Sequence, residues 1–298
     1  MIILDGGLGR ELEANGAPFR QPEWSALALI EAPDYVRKAH QAFVAAGAQV
    51  ITTNSYALVP FHIGEARFRQ DARSLLAMSG KLAREAARAA PAPVRVAASI
   101  PPMFGSYQPQ LFRPEPARQM MQLFRDSLDE FADIFLAETY SSLAEARCFL
   151  DVFCPNEKPV WLSLTVEDVS PETGRPRLRS GEMLTEVLND LLASHIPDAL
   201  LFNCSQPEVM EDAVRCASSA FSGLSKRPKV GVYANAFPLA DETYAGANED
   251  LHEIRADITP QAYAEFVQRW VVAGASIIGG CCGISPAHLR FLRDRLGG

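Results

Sequence analysis

Short apolar segments alternate with longer amphipathic segments along the whole chain, and this alternation restricts the possible folds more than any other feature of the sequence. Eight short segments predict strands: Met1–Leu4, Ala48–Thr52, Val94–Ser99, Asp133–Ala137, Pro159–Leu164, Ala199–Phe202, Lys229–Val232 and Ser276–Ile278. The amphipathic segments predict helices: Pro33–Gly47, Arg67–Ala90, Pro116–Glu130, Leu143–Val152, Gly181–His195, Pro207–Ser219, Pro260–Gly274 and Pro286–Leu296.

Eight strands, each followed by a helix, are typical of a closed (β/α)8 barrel. We therefore predict an α/β fold with a single TIM barrel domain over residues 1–298. An open, doubly wound sheet is the alternative, but eight regular units favour closure. Two longer segments, Pro101–Pro114 and Ala234–Ile258, follow predicted strands, where barrels carry their binding loops.

Charge and hydropathy exclude several kinds of partner. The formal net charge is −8, with arginines scattered among acidic residues, so the chain lacks the concentrated basic face that nucleic acid or an anionic membrane needs. The chain has no run of about 20 apolar residues, so we predict no membrane span. The N-terminus leads directly into a strand and a Gly-Gly turn and does not resemble a signal peptide, so we expect a cytoplasmic protein.

Polar and sulfur-bearing residues follow the predicted strands, at the end where TIM barrels carry their chemistry. The strand ends are Asp5-Gly6-Gly7, Thr53-Asn54-Ser55-Tyr56, Ser99, Glu138-Thr139-Tyr140, Ser163-Leu164-Thr165, Asn203-Cys204, Tyr233-Ala234-Asn235 and Gly279-Gly280-Cys281-Cys282-Gly283. One polar end would be read as a turn. Eight together predict a functional site at the C-terminal face of the barrel.

The adjacent cysteines Cys281 and Cys282 are the most specific feature of these ends. They could be buried thiols or a strained vicinal disulfide, but the flanking glycines let the backbone turn both sulfurs toward one point. Cys204 ends the sixth strand, and alternate strands contribute to common layers, so it can join them. Three thiolates with one open position match a catalytic zinc site. Cys148 and Cys216 lie in apolar helical patterns and are expected to be buried.

The histidines show no metal-ligand spacing and are expected to be structural or solvated. They are His40, His62, His195, His252 and His288.

Six motifs carry a resemblance to a known family. They are LDGGLGRELEANG, PEWSALAL, HQAFVAAGAQVITTNSYA, AETYSSLAEA, LFNCS and ASIIGGCCGISPAHL, and they run from residue 4 to residue 289. The chain resembles the homocysteine S-methyltransferase family, which includes S-methylmethionine- and betaine-dependent enzymes and the homocysteine-binding half of methionine synthase. The resemblance implies that Cys204, Cys281 and Cys282 hold Zn²⁺ and that the homocysteine thiol receives a methyl group, forming methionine.

The resemblance also implies how homocysteine would be held. Asp5 and Glu138 would bind its ammonium group, and the backbone N–H groups around Gly6 and Gly7 would receive its carboxylate. Thr52 is a further candidate contact for the carboxylate. The alternatives are an ordinary Asp-Gly turn at Asp5 and a salt-bridge role for Glu138.

The methyl donor is less clearly indicated. Trp24 and Tyr56 match positions that form an aromatic cage in the betaine branch, but Thr139 stands where that branch has a third tyrosine. An onium donor is therefore expected, S-methylmethionine or S-adenosylmethionine rather than betaine. Asn235 matches an asparagine of the methionine-synthase branch whose oxygen can fill the open zinc position, and the alternative is a loop cap.

We thus predict a zinc-dependent methyltransferase acting on small molecules, as a monomer or small homo-oligomer. Two rival functions remain. One is methylation of another thiol or a selenol. The other is a non-catalytic zinc- or thiol-binding subunit that works with a separate methyl-carrier protein.

Overall fold

The computed structural model describes residues 1–169, 175–239 and 253–296. Its strands are β1 Ile2–Ile3, β2 Val50–Thr52, β3 Arg95–Ile100, β4 Ile134–Tyr140, β5 Val160–Leu164, β6 Ala199–Asn203, β7 Lys229–Tyr233 and β8 Ile277–Ile278. Its helices are α1 Leu8–Ala14, α2 Ser25–Glu31, α3 Pro33–Ala46, α4 Pro60–Ile63, α5 Glu65–Arg88, α6 Pro114–Leu128, α7 Leu143–Phe153, α8 Leu184–Ser194, α9 Met210–Ala220, α10 Pro260–Ala273 and α11 Pro286–Leu296.

The eight strands form one parallel sheet in the order β1-β8-β7-β6-β5-β4-β3-β2. Leu4, just after β1, pairs in parallel with Val50 at the start of β2. Hydrogen bonds flank this bridge, from the Gln49 N–H to the Ile3 carbonyl at 2.7 Å and from the Asp5 N–H to the Val50 carbonyl at 3.0 Å. The sheet is therefore a closed barrel. The predicted (β/α)8 fold is confirmed, and the open-sheet alternative is wrong.

All eight predicted helices are present, although the segment predicted as Pro207–Ser219 is a 3₁₀ turn, Pro207–Val209, that continues into α9. Three helices were not predicted: α1, α2 and α4. They have seven, seven and four residues, too short for an apolar period of 3.6 to be recognised in the sequence. All three lie in the connections that follow β1 and β2.

The structure describes all of one expected binding loop and part of the other. Pro101–Pro114 contains a 3₁₀ turn at Pro109–Leu111, and α6 begins at its last residue. Of the segment Ala234–Ile258, residues 240–252 lie outside the described residues, and His252 is one of them.

The core has two layers. Residues that point into the barrel, including Leu4, Val50, Leu136 and Ile277, pack together on its axis. A larger layer fills the space between the strands and the surrounding helices, and Cys148 and Cys216 both pack there. Because the axis is filled by side chains, a ligand can enter only where the strands end. In the described part of the chain, every helix is too short or too polar to span a bilayer.

Candidate active site

A cavity of about 120 Å³ opens at the C-terminal end of the barrel. Residues at the ends of seven strands, or in the connections that follow them, contribute to its wall: β1, β2, β3, β4, β6, β7 and β8. Ten of the predicted site residues line it: Asp5, Gly6, Gly7, Trp24, Thr52, Tyr56, Glu138, Cys204, Cys281 and Cys282. Side chains that are separated by up to 277 residues in sequence (Asp5 to Cys282) thus meet around one space.

The sulfur atoms of Cys204, Cys281 and Cys282 form one cluster, called the thiol end below. All three lie within 4.8 Å of one another. The sulfurs of Cys204 and Cys281 touch, paired as in a disulfide, with their Cα atoms 5.8 Å apart. A tetrahedral zinc ion with Zn–S bonds of about 2.3 Å holds its sulfurs about 3.8 Å apart. The cluster therefore fits a three-thiolate zinc site after a small separation of two sulfurs.

The turn that presents Cys281 and Cys282 needs its glycines. The Cys281 N–H donates to the Ala234 carbonyl at 2.8 Å, and the Ala236 N–H donates to the Cys282 carbonyl at 2.8 Å. These bonds tie both cysteines to the connection after β7. Gly283 then takes a left-handed φ of +86°, which glycine adopts without strain. A side chain on Gly280 would collide with Ile284.

Cys204 is held by its backbone carbonyl. Its own φ is +50°, a left-handed conformation that costs a non-glycine residue about 1 kcal/mol. Three side chains donate to its carbonyl: Arg179 from Nη2 at 3.1 Å, Tyr107 from Oη at 3.2 Å and Thr165 from Oγ1 at 3.4 Å. Asp168 in turn pairs with the Arg179 guanidinium at 2.8 Å. We call these three donors the carbonyl clamp.

Asn203 connects the ends of β4 and β6. Its side-chain oxygen accepts from the Thr139 N–H at 2.9 Å and from the Ser163 hydroxyl at 2.7 Å, and its amide donates to the Thr139 hydroxyl at 2.8 Å. Thr139 also has a left-handed φ, +64°. Glu138 and Cys204, the neighbours of these two residues, are thereby fixed relative to each other. The sequence pointed to this network only through the Asn203-Cys204 pair.

Asp5 and Glu138 are buried carboxyl groups, with relative exposures of 3% and 9%. Burial raises the pKa of Asp5 to about 8, and the nearby Glu138 charge adds to the rise. Burial also raises the pKa of Glu138 to about 7, opposed by a hydrogen bond from the Ser99 hydroxyl. Among the described residues, neither carboxyl has a salt-bridge partner. Two buried acids without a cation make a site for a positively charged group.

Thr52 and Gly7 already have partners within the protein. The Thr52 N–H and hydroxyl donate to Oδ2 of Asp5 at 2.7 and 3.0 Å, so Thr52 orients the acid. The Gly7 N–H donates to the Ile284 carbonyl at 2.9 Å, and a side chain on Gly7 would lie 2.6 Å from the Cys281 carbonyl oxygen. The carboxylate contacts expected of these two residues would have to replace or share the bonds they make here.

Trp24, Tyr56 and Phe237 form an aromatic wall on the cavity. Trp24 packs against the Phe19 ring at 5.1 Å, and the Arg10 guanidinium lies 5.8 Å from its ring and 5.7 Å from that of Phe237. The Tyr56 hydroxyl bonds to Ser106 at 2.7 Å. Phe237 was not identified from the sequence, because a lone aromatic residue in a loop carries no pattern.

Asn235 was predicted to lie at the site, and His62 was not. Asn235 is buried but does not line the cavity, and its side-chain oxygen accepts from the Phe237 N–H at 3.3 Å. This arrangement favours the loop-cap alternative, and zinc ligation by Asn235 stays a prediction. His62 lines the cavity, although its sequence context gave no sign of a role there.

Known proteins resemble this chain in sequence. The profile of the homocysteine S-methyltransferase family matches residues 2–296. Homocysteine S-methyltransferase of Escherichia coli is 28% identical over 99% of this chain and 95% of that protein. Homocysteine S-methyltransferase 4 of Zea mays is 28% identical over 97% of this chain and 87% of that protein.

Solved structures are similar along the full length. The metallated form of the homocysteine methyltransferase MmuM from Escherichia coli has a TM-score of 0.78 and 25% identity, covering 99% of this chain and 96% of that chain. Its oxidized form has a TM-score of 0.79 and 26% identity with the same coverage. With a matching profile over nearly every residue and a shared fold, this chain belongs to the homocysteine S-methyltransferase family.

Proposed function

We propose that this protein is a zinc-dependent enzyme that transfers a methyl group from a sulfonium donor to the thiol of homocysteine, forming methionine. One observation carries the proposal: three clustered cysteine sulfurs line the same cavity as two buried carboxyls that have no salt-bridge partner among the described residues. Homocysteine bears a thiol and an ammonium group on one short chain. Its thiol and its ammonium match the two kinds of group that line the cavity.

Each part of the site has a task in this reaction. Cys204, Cys281 and Cys282 would hold zinc, which when bound favours the thiolate form of a fourth sulfur ligand near neutral pH. Asp5 and Glu138 would bind the ammonium, and its positive charge would favour their ionised forms. With both ends of homocysteine held, its sulfur has a fixed direction of approach to the methyl group.

The donor side of the cavity suits an onium group. A methyl group on a positive sulfur forms no ordinary hydrogen bonds, and ring faces such as those of the aromatic wall attract it. As the new carbon–sulfur bond forms on homocysteine, the bond from the methyl carbon to the donor sulfur breaks. The donor leaves as a neutral thioether, and the proton of the homocysteine thiol goes to solvent. Charge is lost from the donor in this step, so a partly apolar wall favours the transition state.

The test is a donor panel on the zinc-loaded protein. S-methylmethionine, S-adenosylmethionine and betaine are each supplied with homocysteine, and methionine is measured. We expect turnover with at least one sulfonium donor and little with betaine. No turnover with any donor, together with tight zinc and homocysteine binding, would favour the non-catalytic subunit. Faster methylation of a competing thiol or selenol would replace homocysteine as the acceptor.

A further inference from the structure

His62 is a buried histidine on the cavity that the proposed reaction does not use. It lies in α4, a single turn between β2 and α5, and its relative exposure is 4%. Its ring lines the cavity together with Trp24 and Tyr56. The thiols and carboxyls of the cavity belong to other elements. His62 therefore shares the cavity wall with the aromatic residues assigned to the donor.

The protonation of the ring follows from its one hydrogen bond. Nδ1 lies 2.5 Å from the Pro22 carbonyl oxygen. A carbonyl only accepts, so Nδ1 carries the hydrogen. Burial lowers the pKa of His62 to about 4, so the ring is neutral near pH 7. In a neutral ring with the hydrogen on Nδ1, Nε2 has a lone pair and can only accept.

The direction of Nε2 follows from the shape of the ring. In a five-membered imidazole, Nε2 and Cδ2 form the edge opposite Nδ1. That edge faces away from Pro22. Among the described residues nothing donates to Nε2, yet it is not one of the buried polar atoms closed off without a partner. His62 lines the cavity, so this open acceptor has that space available to it.

An acceptor beside the aromatic wall discriminates between donors. An onium methyl group offers it no N–H or O–H, and a ligand that covers Nε2 without donating to it leaves a desolvated lone pair. A donor with an amino or hydroxyl group near its onium centre satisfies that lone pair. Sites built around such a polar contact reject analogues that lack the group.

We propose that His62 selects the methyl donor, with Nε2 accepting a hydrogen bond from an N–H or O–H group that the donor carries beside its sulfonium. The assignment rests on the proposed function, since it names the donor class of the same site. The ammonium of S-methylmethionine and the amino and hydroxyl groups of S-adenosylmethionine share this chemistry. Dimethylsulfoniopropionate has the same dimethylsulfonium and a carboxylate, but no such group.

The test compares S-methylmethionine with dimethylsulfoniopropionate on the zinc-loaded protein and on His62→Phe and His62→Gln. Phe keeps an aromatic ring without an acceptor, and Gln offers a side-chain oxygen. We expect His62→Phe to lose about tenfold in kcat/KM for S-methylmethionine, mostly through KM, and little or nothing for dimethylsulfoniopropionate. His62→Gln should recover part of the loss. Zinc content, circular dichroism and the Kd of homocysteine should stay unchanged.

Three outcomes would overturn the assignment. Equal losses for both donors in His62→Phe would give the ring a packing role. If His62→Phe prefers S-methylmethionine over dimethylsulfoniopropionate as strongly as the unaltered protein does, another group selects the donor. A change in the Kd of homocysteine without a change in donor KM would show that Nε2 contacts homocysteine rather than the methyl donor. Failure of the unaltered protein to use any sulfonium would overturn the proposed function itself, a different result from all three.

Discussion

The thiol end and the aromatic wall line one cavity but are built in different ways. Cys204 follows β6 directly and Cys281 lies three residues after β8, and hydrogen bonds hold the backbones of both. Trp24 and Tyr56 lie in the connections after β1 and β2, and their positions depend on packing against other loop residues. The difference teaches that backbone hydrogen bonds hold the proposed metal ligands, whereas contacts between loop side chains place the proposed donor site.

The largest expected effect is loss of the metal at the thiol end. Cys204→Ser or Cys281→Ala removes one of three ligands, and zinc affinity should fall by more than the roughly 10- to 100-fold that loss of an outer partner costs. The fold should survive, because the barrel has a core of its own. Zinc analysis and circular dichroism would measure both.

Cys216→Ser is the matched control for the loss of a thiol, since Cys216 packs between helices away from the cavity. It should keep its zinc. Full zinc retention with normal activity in Cys204→Ser would contradict the assigned ligands.

The next effect concerns the two buried acids of the cavity. Glu138→Gln removes a buried charge from the ammonium site, and a charge-assisted hydrogen bond contributes about 1.5–3 kcal/mol. We expect the Kd of homocysteine to rise roughly 10- to 100-fold while zinc affinity changes little. A thiol without an amino group should bind as before. Equal losses for both thiols would mean that Glu138 supports the metal or the fold.

Binding at the acids should also depend on pH. The folded pKa values of Asp5 and Glu138, about 8 and about 7, lie above those of the unfolded chain. The folded, ligand-free protein thus holds protons that the unfolded chain releases, and its stability should fall as pH rises from about 4 to about 8. An ammonium ligand lowers both pKa values, so binding releases protons and strengthens as pH rises through this range.

Homoserine isolates this effect, because it has the ammonium group but no thiol to deprotonate. Calorimetry in buffers of different ionisation enthalpy, between pH 6 and 8, would count the protons released. Each released proton strengthens binding by at most about tenfold per pH unit. Binding of homoserine with no proton release at pH 6 would mean that both acids are already ionised.

Variants of the carbonyl clamp test whether its hydrogen bonds to the Cys204 carbonyl contribute to zinc affinity. Tyr107→Phe removes one of three donors to the Cys204 carbonyl and keeps the ring that lies under Arg179. Outer partners of metal ligands contribute about tenfold or more to affinity. With two donors left, we expect zinc affinity to fall by less than that. An unchanged zinc Kd in both Tyr107→Phe and Thr165→Val would show that the clamp does not position Cys204.

The smallest expected effect lies on the aromatic wall. Trp24→Leu keeps an apolar side chain but removes the ring face, and one cation–π contact is worth about 1 kcal/mol, roughly fivefold in donor KM. Zinc and homocysteine binding should not change. The competing interpretation is that Trp24 only packs the first loop against Phe19 and Arg10. A lower melting temperature with an unchanged donor KM would favour packing.

Prediction from the sequence succeeded where the signal is local. The strand–helix alternation gave all eight strands and the C-terminal face of the barrel, and the Gly279–Gly283 turn indicated that Cys281 and Cys282 face one point. Helices α1, α2 and α4 were missed, because one or two turns do not show a period. Because these helices were not predicted, the structural surroundings of Trp24 and His62 were not predicted either.

The sequence did not indicate contacts that depend on a distant partner. Thr52 was predicted to contact substrate, which stays a prediction, but its hydrogen bonds to Asp5, 47 residues away, were not foreseen. The clamp joins Tyr107 to Cys204 across 97 residues. In the same way, His62 is one histidine among five in the sequence, and only the carbonyl of Pro22, 40 residues away, fixes which of its nitrogens accepts.

The sequence by itself determined the barrel, the C-terminal face at which the candidate site lies, and the adjacent cysteines that are the most specific feature of that face. These follow from periodicity and from the few backbones that a Gly-Gly-Cys-Cys-Gly turn can adopt. Only the tertiary structure decided which polar groups are already satisfied and which remain open to a ligand. That distinction depends on burial and on contacts between strand ends far apart in the chain, because a hydrogen bond is a property of two positions in space.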